Sequence, residues 1–227
     1  MLFHSCAKPV THLNLPAIKP RSRLHGLRVA DHARMRTATI SRKTRETDIT
    51  VTWNLDQAGP AQISTGIGFF DHMLEALAKH SGTTLHVACK GDLHIDGHHT
   101  TEDVGIVMGQ VLRQALGERV GIERFGHIAC PLDEALVQVS LDISGRGYLV
   151  YALTPPAGLI GTWDTELVRE YFGGFVEHAK CCVHLHQLQG RNSHHIVEAG
   201  FKAFARALKQ AIKVTSNELP TTKGLLG

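Results

Sequence analysis

The chain has no run of about eighteen consecutive apolar residues, which excludes a membrane-spanning helix. It also lacks a strong charge of either sign, because 24 Lys and Arg stand against 21 Asp and Glu, and a formal balance of +3 is too small to point to nucleic acid. The five cysteines, Cys6, Cys89, Cys130, Cys181 and Cys182, are odd in number and lack metal-ribbon spacing, so neither a disulfide framework nor a zinc finger is expected. Adjacent Cys181 and Cys182 would face opposite sides of a strand and share no ligand role. The thiols read as buried or idle, in a reducing compartment. Acidic residues are scarce at the start: between Met1 and Met35 only Asp31 is acidic, whereas Lys8, Lys19, Arg21, Arg23, Arg28 and Arg34 are basic. Such a stretch resembles an organelle transit peptide, with a chloroplast as the destination; the other reading is a disordered basic tail on a cytoplasmic protein.

Histidine is what the chain has in excess, with sixteen residues and several in adjacent pairs. A length of 227 residues with 43% hydrophobic and 20% charged side chains suits one large domain, or two small halves sharing a core. The patterning favours halves. From Arg36, RTATISRKTRETDITVTWNLD reads as two half-buried strands joined by a turn near Thr44 to Glu46. FFDHMLEALAKHSG places Phe70, Met73, Leu74 and Leu77 at helical spacing and stops at Gly82. TLHVACKGD alternates like a strand, and HHTTEDVGIVMGQVLRQALG runs as a helix to Gly117.

After a link around GIERFGHIACP the same order returns. ALVQVSLDISGRGYLVYAL reads as a hairpin turning at Ser144 to Gly147, LVREYFGGFVEHAK as a helix and VHLHQLQGR as a strand. SHHIVEAGFKAFARALKQAI closes the half, with Phe201, Phe204, Leu208 and Ile212 on one apolar stripe. The expected fold is α+β, with two tandem pseudo-symmetric half-domains at 36–129 and 130–227 behind the leader at 1–35. Each is a small mixed sheet covered by two helices, and the two pack as one unit.

Both long helices begin with His-His-x-x-Glu: His98, His99 and Glu102, then His194, His195 and Glu198. Residues i and i+4 share a helix face about 6 Å apart, so His98 with Glu102, and His194 with Glu198, can each grip one ion. His99 and His195 are rotated by about 100° and reach elsewhere. An exchange between halves satisfies both: His98 and Glu102 take His195, and His194 and Glu198 take His99. The shorter helices offer His72 and Glu170 as further donors at matching places. A single such helix start would pass as a capped terminus with solvated imidazoles; its duplication points to metal. Imidazole with carboxylate and no thiolate suits manganese, and zinc or iron by the same donors. Four protein ligands would leave an octahedral ion two open positions.

Basic residues occupy places suited to an anion: Arg124 after the first long helix, Arg146 in the glycine-flanked SGRG, Lys202 one turn beyond Glu198, and Lys223 in the tail. On spacing alone Lys202 reads first as an i,i+4 partner of Glu198. His80 ends the helix that carries His72 and is left open, while His86, His94, His127, His178, His184 and His186 read as surface or satisfied core residues.

FFDHMLEALAKHSG, DGHHTTEDVGIVMGQ, ERFGHIACPLDEALVQVSLDISGRGYL, NSHHIVEAGFKAFARALKQA and the tail PTTKG, in this order from Arg36 to Gly227, resemble the imidazoleglycerol-phosphate dehydratase family. The resemblance implies a hydro-lyase that converts imidazoleglycerol phosphate to imidazole-acetol phosphate in histidine biosynthesis, with two Mn2+ per active site. One ion would take His72, His99, His194 and Glu198, and the other His98, Glu102, Glu170 and His195. Glu170 stands where some members carry histidine; His178 and His184 are the candidates should it not serve. Arg124, Arg146, Lys202, Thr221, Thr222 and Lys223 become phosphate or substrate contacts, with His80 beside them. Glu46 becomes the acid/base group, joined in the catalytic set by His72 and Glu198. The family also implies a 24-subunit homo-oligomer with active sites at subunit interfaces. The competing readings are a dinuclear metal hydrolase and a non-catalytic metal store.

Overall fold

The computed structural model describes residues 35–226, so the anticipated leader lies, up to residue 34, outside the described residues. The chain opens with β1, Thr37–Lys43, and β2, Thr47–Asn54, paired antiparallel from Thr37 opposite Asn54 to Lys43 opposite Asp48. The turn forms where its chemistry predicts, because the Thr44 hydroxyl accepts the backbone N–H groups of Glu46 and Thr47 at 3.1 and 3.0 Å. Alternation then sends Ile49, Val51 and Trp53 inward, while the hydroxyls of Thr39 and Thr52 and of Ser41 and Thr50 pair on the outer face.

β3, Gln62–Ser64, is too short to show a period in the sequence. It is followed by α1, Gly68–Ser81, β4, Thr84–Gly91, and α2, His98–Leu116. Gly82, at φ +71°, ends α1 by donating to the carbonyls of Ala78 and Lys79. The sheet runs β1-β2-β4-β3, with β3 parallel to β4 and the other pairs antiparallel.

The second half comprises β5, Phe125–Leu132, β6, Ala135–Asp142, β7, Tyr148–Ala152, the short pair β8, Leu159–Ile160, and β9, Trp163–Asp164, then α3, Leu167–Ala179, β10, Cys182–Gln189, and α4, Ser193–Ala211. Its sheet runs β5-β6-β10-β7, the same first-second-fourth-third order as the first. The repeat is therefore real in topology, with mixed sheets as expected.

Two expectations need correction. The second hairpin is β5–β6, closing at Leu132 opposite Ala135, whereas β7 lies beyond β10 and parallel to it. Ser144 to Gly147 is thus a crossover and not a hairpin turn. The expected link is itself a strand, and the division at 129/130 falls inside β5. β5 hid because Gly126 and Pro131 break its pattern. Pro131 is tolerated because β5 is an edge strand. Gly126 is required because a Cβ there would sit 1.9 Å from the Ala207 carbonyl oxygen of α4.

Residues from 35 onward form one compact unit. α2 rests on β1 and β2 and α4 on β5 and β6, while α2 packs on α3 and α1 on α4. The four helices thus fill the layer between the sheets, and each helix pair joins the two halves. Phe172 meets Phe201 and Phe175 meets Phe204 with ring centroids 5.1 and 5.2 Å apart. The buried indoles are satisfied across the core, Trp53 donating to Thr83 at 2.8 Å and Trp163 to Thr101 at 2.9 Å. Cys181, just before β10, is buried and Cys182, its first residue, half-buried, and burial pushes the Cys181 thiol up to about 12.

At the α2–α3 contact, a Cβ on Gly105 or Gly109 would stand 2.4 Å from the carbonyl oxygen of Tyr171 or Phe175. We expect Gly105→Ala to destabilise the fold by about 1–3 kcal/mol through overpacking. An unchanged midpoint in chemical denaturation would show that the helices separate without cost.

Candidate metal centre

The first turns of α2 and α4 carry the two histidine pairs, and local capping starts each helix there. Asp96 accepts the His98 backbone N–H at 2.7 Å, and Asn192, the N-cap of α4, accepts that of His195 at 3.2 Å. Glu102 and Glu198 do not cap their own helices. Glu198, 9% exposed, lies where α1 crosses α4, its Oε2 2.9 Å from His194 Nε2 and 3.8 Å from His72 Nε2. Lys202 donates to its other oxygen at 2.7 Å, and Phe69 packs on the His194 ring with centroids 4.9 Å apart. In the other half, His98 Nε2 is 3.8 Å from Glu102 Oε2. Glu170 is the fourth residue of α3, 3.4 Å from Arg169, and His72 the fifth of α1. The substitutes considered for Glu170 are engaged elsewhere, His178 with the carbonyl of Gly174 at 2.9 Å and His184 against the ring of Tyr148.

His99 and His195 make their contacts away from the Glu198 cluster. His99 Nδ1 is 2.9 Å from Asp92 Oδ2 and its Nε2 3.7 Å from Glu46 Oε1. His195 Nδ1 is 2.7 Å from Glu134 Oε2 and its Nε2 3.5 Å from Asp133 Oδ2. Glu46 reaches His99 because Asp103, in the second turn of α2, ties down the strands on either side of its turn, accepting from Thr47 at 2.5 Å and pairing with Arg42 at 2.7 Å. Among the described residues no three or more His, Cys, Asp or Glu side chains are arranged to hold an ion within one chain. The donors nevertheless fit a divalent ion. They are imidazoles and carboxylates without thiolate, and two of the imidazoles have Nδ1 taken by a carboxylate and Nε2 left over.

A second feature gathers three distant stretches of chain. Arg124, Ser144, Arg146, Pro220, Thr221, Thr222 and Lys223 line a cavity of about 570 Å³. Arg124 organises it, with Nε and Nη2 on the Asp142 carboxylate at 2.7 and 3.1 Å and Nη1 on the carbonyl of Pro220 at 2.9 Å. Lys202 is not among the residues lining this cavity; its ion pair with Glu198 is the i,i+4 contact that the spacing offered. The Arg124 backbone N–H donates to the carbonyl of Ala211 at the far end of α4. Glu198 lies thirteen residues earlier in that helix. Cavity and cluster therefore stand about 20 Å apart along the axis within one chain.

A sequence profile of imidazoleglycerol-phosphate dehydratase matches residues 65–208. The imidazoleglycerol-phosphate dehydratase of Synechococcus sp. is 55% identical over 195 residues, covering 85% of this chain and 96% of that one. The chain belongs to the imidazoleglycerol-phosphate dehydratase family. The crystal structure of the Staphylococcus aureus dehydratase superposes with a TM-score of 0.72 at 38% identity, covering 79% of this chain and 99% of that chain. That of the Pyrococcus furiosus dehydratase gives 0.73 at 37% identity, covering 82% and 100%. Family membership disfavours the hydrolase and metal-store readings.

Charge in this dehydratase fold is arranged around the same groups. Burial alone would raise the Glu198 carboxyl, but the Lys202 ammonium and the His194 ring bring it below the ordinary value. Hydrogen bonding to His195 and to the Asn192 backbone lowers Glu134 to about 2. Burial, then Lys202 and Arg206, push His80 down, which favours a neutral ring beside α4. Sequence reasoning missed Asp92, Asp133 and Glu134, since acidic residues in turns carry no local sign of a distant histidine. Asp56 is likewise lowered, burial opposing and Arg36 outweighing it. Because these folded-state values lie below the unfolded ones, their stabilisation is complete above the ordinary carboxylate range and is lost as pH falls through the lowered values. The melting temperature of the metal-free protein should therefore fall steadily between about pH 4.5 and pH 2. A flat profile across that window would contradict the pairings.

Proposed function

We propose that the chain eliminates water from D-erythro-imidazoleglycerol phosphate to give imidazole-acetol phosphate, a step of histidine biosynthesis, using two manganese ions per active site. The observation that carries this reading is the approach of His72, His194 and Glu198 across the α1–α4 crossing, mirrored in the other half by His98 and Glu102. His72, His99, His194 and Glu198 would hold one ion, and His98, Glu102, Glu170 and His195 the other. Manganese bound there would supply Lewis acidity toward the imidazole ring and the departing oxygen.

The protein's own groups do the rest. Arg124, Arg146, Thr221, Thr222 and Lys223 hold the phosphate and thereby set the glycerol carbons in register with the acid/base group. Lys202 and His80 close the ring end. Glu46 takes the proton from the carbon next to the one that loses its hydroxyl. The C–H electron pair becomes the new C=C bond, the C–O bond breaks, and the hydroxyl leaves as water after gaining a proton. The enol then tautomerises to the ketone. Turnover of imidazoleglycerol phosphate by the chelated and then manganese-reconstituted protein tests the reading. Ketone should form only after reconstitution, and Glu46→Gln should keep the metal while losing most turnover. Loss of metal in Glu46→Gln would remove Glu46 from the acid/base role.

A ring and a phosphate joined by a glycerol chain cannot span about 20 Å, so one chain cannot serve both ends of one substrate. The proposed active site is therefore shared between neighbouring copies, and the family resemblance suggests a 24-subunit shell for them. Exposed Leu93 and Leu159 border the cavity beside His98 and offer an apolar face to a second copy. By the same reading, the basic leader directs the chain to a plastid. Glu198→Gln and Lys223→Ala should each abolish turnover, yet regain part of it when the two proteins are dissociated and reassembled together. No recovery in the mixed assembly would place both ends in one chain.

A further inference from the structure

The two histidines rotated away from the helix faces are held in the same way by carboxylates that come from different places in the repeat. Asp92 follows β4, 2.9 Å from His99 Nδ1. Glu134 lies in the β5–β6 turn, 2.7 Å from His195 Nδ1. The first-half turn that corresponds to Glu134 is the β1–β2 turn, and it places Glu46 toward the other nitrogen of His99. The halves thus arrive at one arrangement through unrelated loops, which inheritance of a repeated sequence does not explain.

Both carboxylates are built into their surroundings. Glu134 Oε1 accepts the backbone N–H groups of Arg191 and Asn192 at 3.2 and 2.8 Å, leaving Oε2 for the ring. Asp92 Oδ1 is buried without a hydrogen-bond partner, while its backbone N–H donates to the carbonyl of Glu46 at 3.1 Å. The contact of Oδ2 with the ring is thus the one hydrogen bond of this carboxylate among the described residues, and it sets the side chain's orientation.

We propose that Asp92 and Glu134 are positioning residues that fix the Nδ1–H tautomer of His99 and His195, so that each presents the Nε2 lone pair as a metal donor. An ionised carboxylate only accepts, so the hydrogen of the neutral ring must sit on Nδ1. The distances from Nε2 to Glu46 and Asp133, 3.7 and 3.5 Å, leave that nitrogen without a short hydrogen bond. The inference rests on the reading of His99 and His195 as ligands.

Replacement of Glu134 by the amide inverts the tautomer while preserving shape. In Glu134→Gln the carbonyl oxygen can still accept from Arg191 and Asn192, but the NH2 group now donates to Nδ1 and drives the hydrogen onto Nε2. Asp92→Asn lacks that second anchor, because Oδ1 accepts from no donor, so its amide can turn its oxygen to His99 Nδ1 and keep the tautomer. Glu134→Ala removes the partner and leaves the ring free to adopt either tautomer. Titration of the full, chelated chain with Mn2+, followed by electron paramagnetic resonance, should show binding weakened about 10–100-fold in Glu134→Gln and less affected in Asp92→Asn. Glu134→Ala should bind Mn2+ better than Glu134→Gln despite melting at a lower temperature. A role confined to holding the loop gives the reverse order of affinities, and that order, or unchanged binding in Glu134→Gln, overturns the proposal. Failure of the unsubstituted chain to bind Mn2+ would instead overturn the metal reading of the site, and the positioning role with it.

Discussion

The backbone of α2 touches the backbone of α3 at Gly105 and Gly109, and the rest of the molecule is arranged around that approach. Any side chain at either position would hold the helices apart. The contact joins a helix of the first half to one of the second, as does the packing of α1 on α4. The halves are consequently not two beads on a string. Neither sheet has its helical cover to itself, and the aromatic layer of Phe172, Phe175, Phe201 and Phe204 belongs to the crossing helices. Because the helices lie in one layer, the first turn of α4 comes against α1, and Glu198 meets His72 across that crossing. The candidate site is a product of helix packing.

Much of this could be read in the sequence wherever a physical rule acts locally. α1, α2 and α4 carry long apolar stripes, and Gly82 ends α1 in the left-handed conformation that its position demanded. The turn before Glu46 formed because Thr44 can bond its own backbone two and three residues on. The ligand-type residues stood out because a pattern weak in one copy appears twice at corresponding places. β5 did not stand out, because Gly126 answers to a carbonyl on α4 that no local pattern reveals. SGRG looked like a hairpin turn because its residues suit many tight reversals, and only the pairing of β7 with β10 shows that the chain crosses over instead.

The groups around the histidines were harder to read for the same reason. Glu134 and His195 are sixty-one residues apart, and nothing in an acidic turn announces which ring it will face. The resemblance to a family placed Arg124, Arg146 and the tail together by analogy, and the cavity they line supplies the geometry. Lys202 illustrates the limit of such matching: helical spacing alone gave its pairing with Glu198, the contact found in the structure.

The tail that lines this cavity is held chiefly by carbonyl groups. Arg124 grips Pro220 and Arg119 grips Leu226, each at 2.9 Å, while Thr221 through Leu226 are exposed or half-buried. Little apolar surface is buried there, so the segment adds almost nothing to the core although it completes the cavity to which the proposed function assigns the phosphate. A protease that clipped the chain after α4 would leave the helix layer closed while removing Thr221, Thr222 and Lys223 from the cavity, and on the proposed reading that takes away part of the phosphate site. Damage of this kind escapes any quality control that senses unfolding, because the lesion leaves the apolar interior closed.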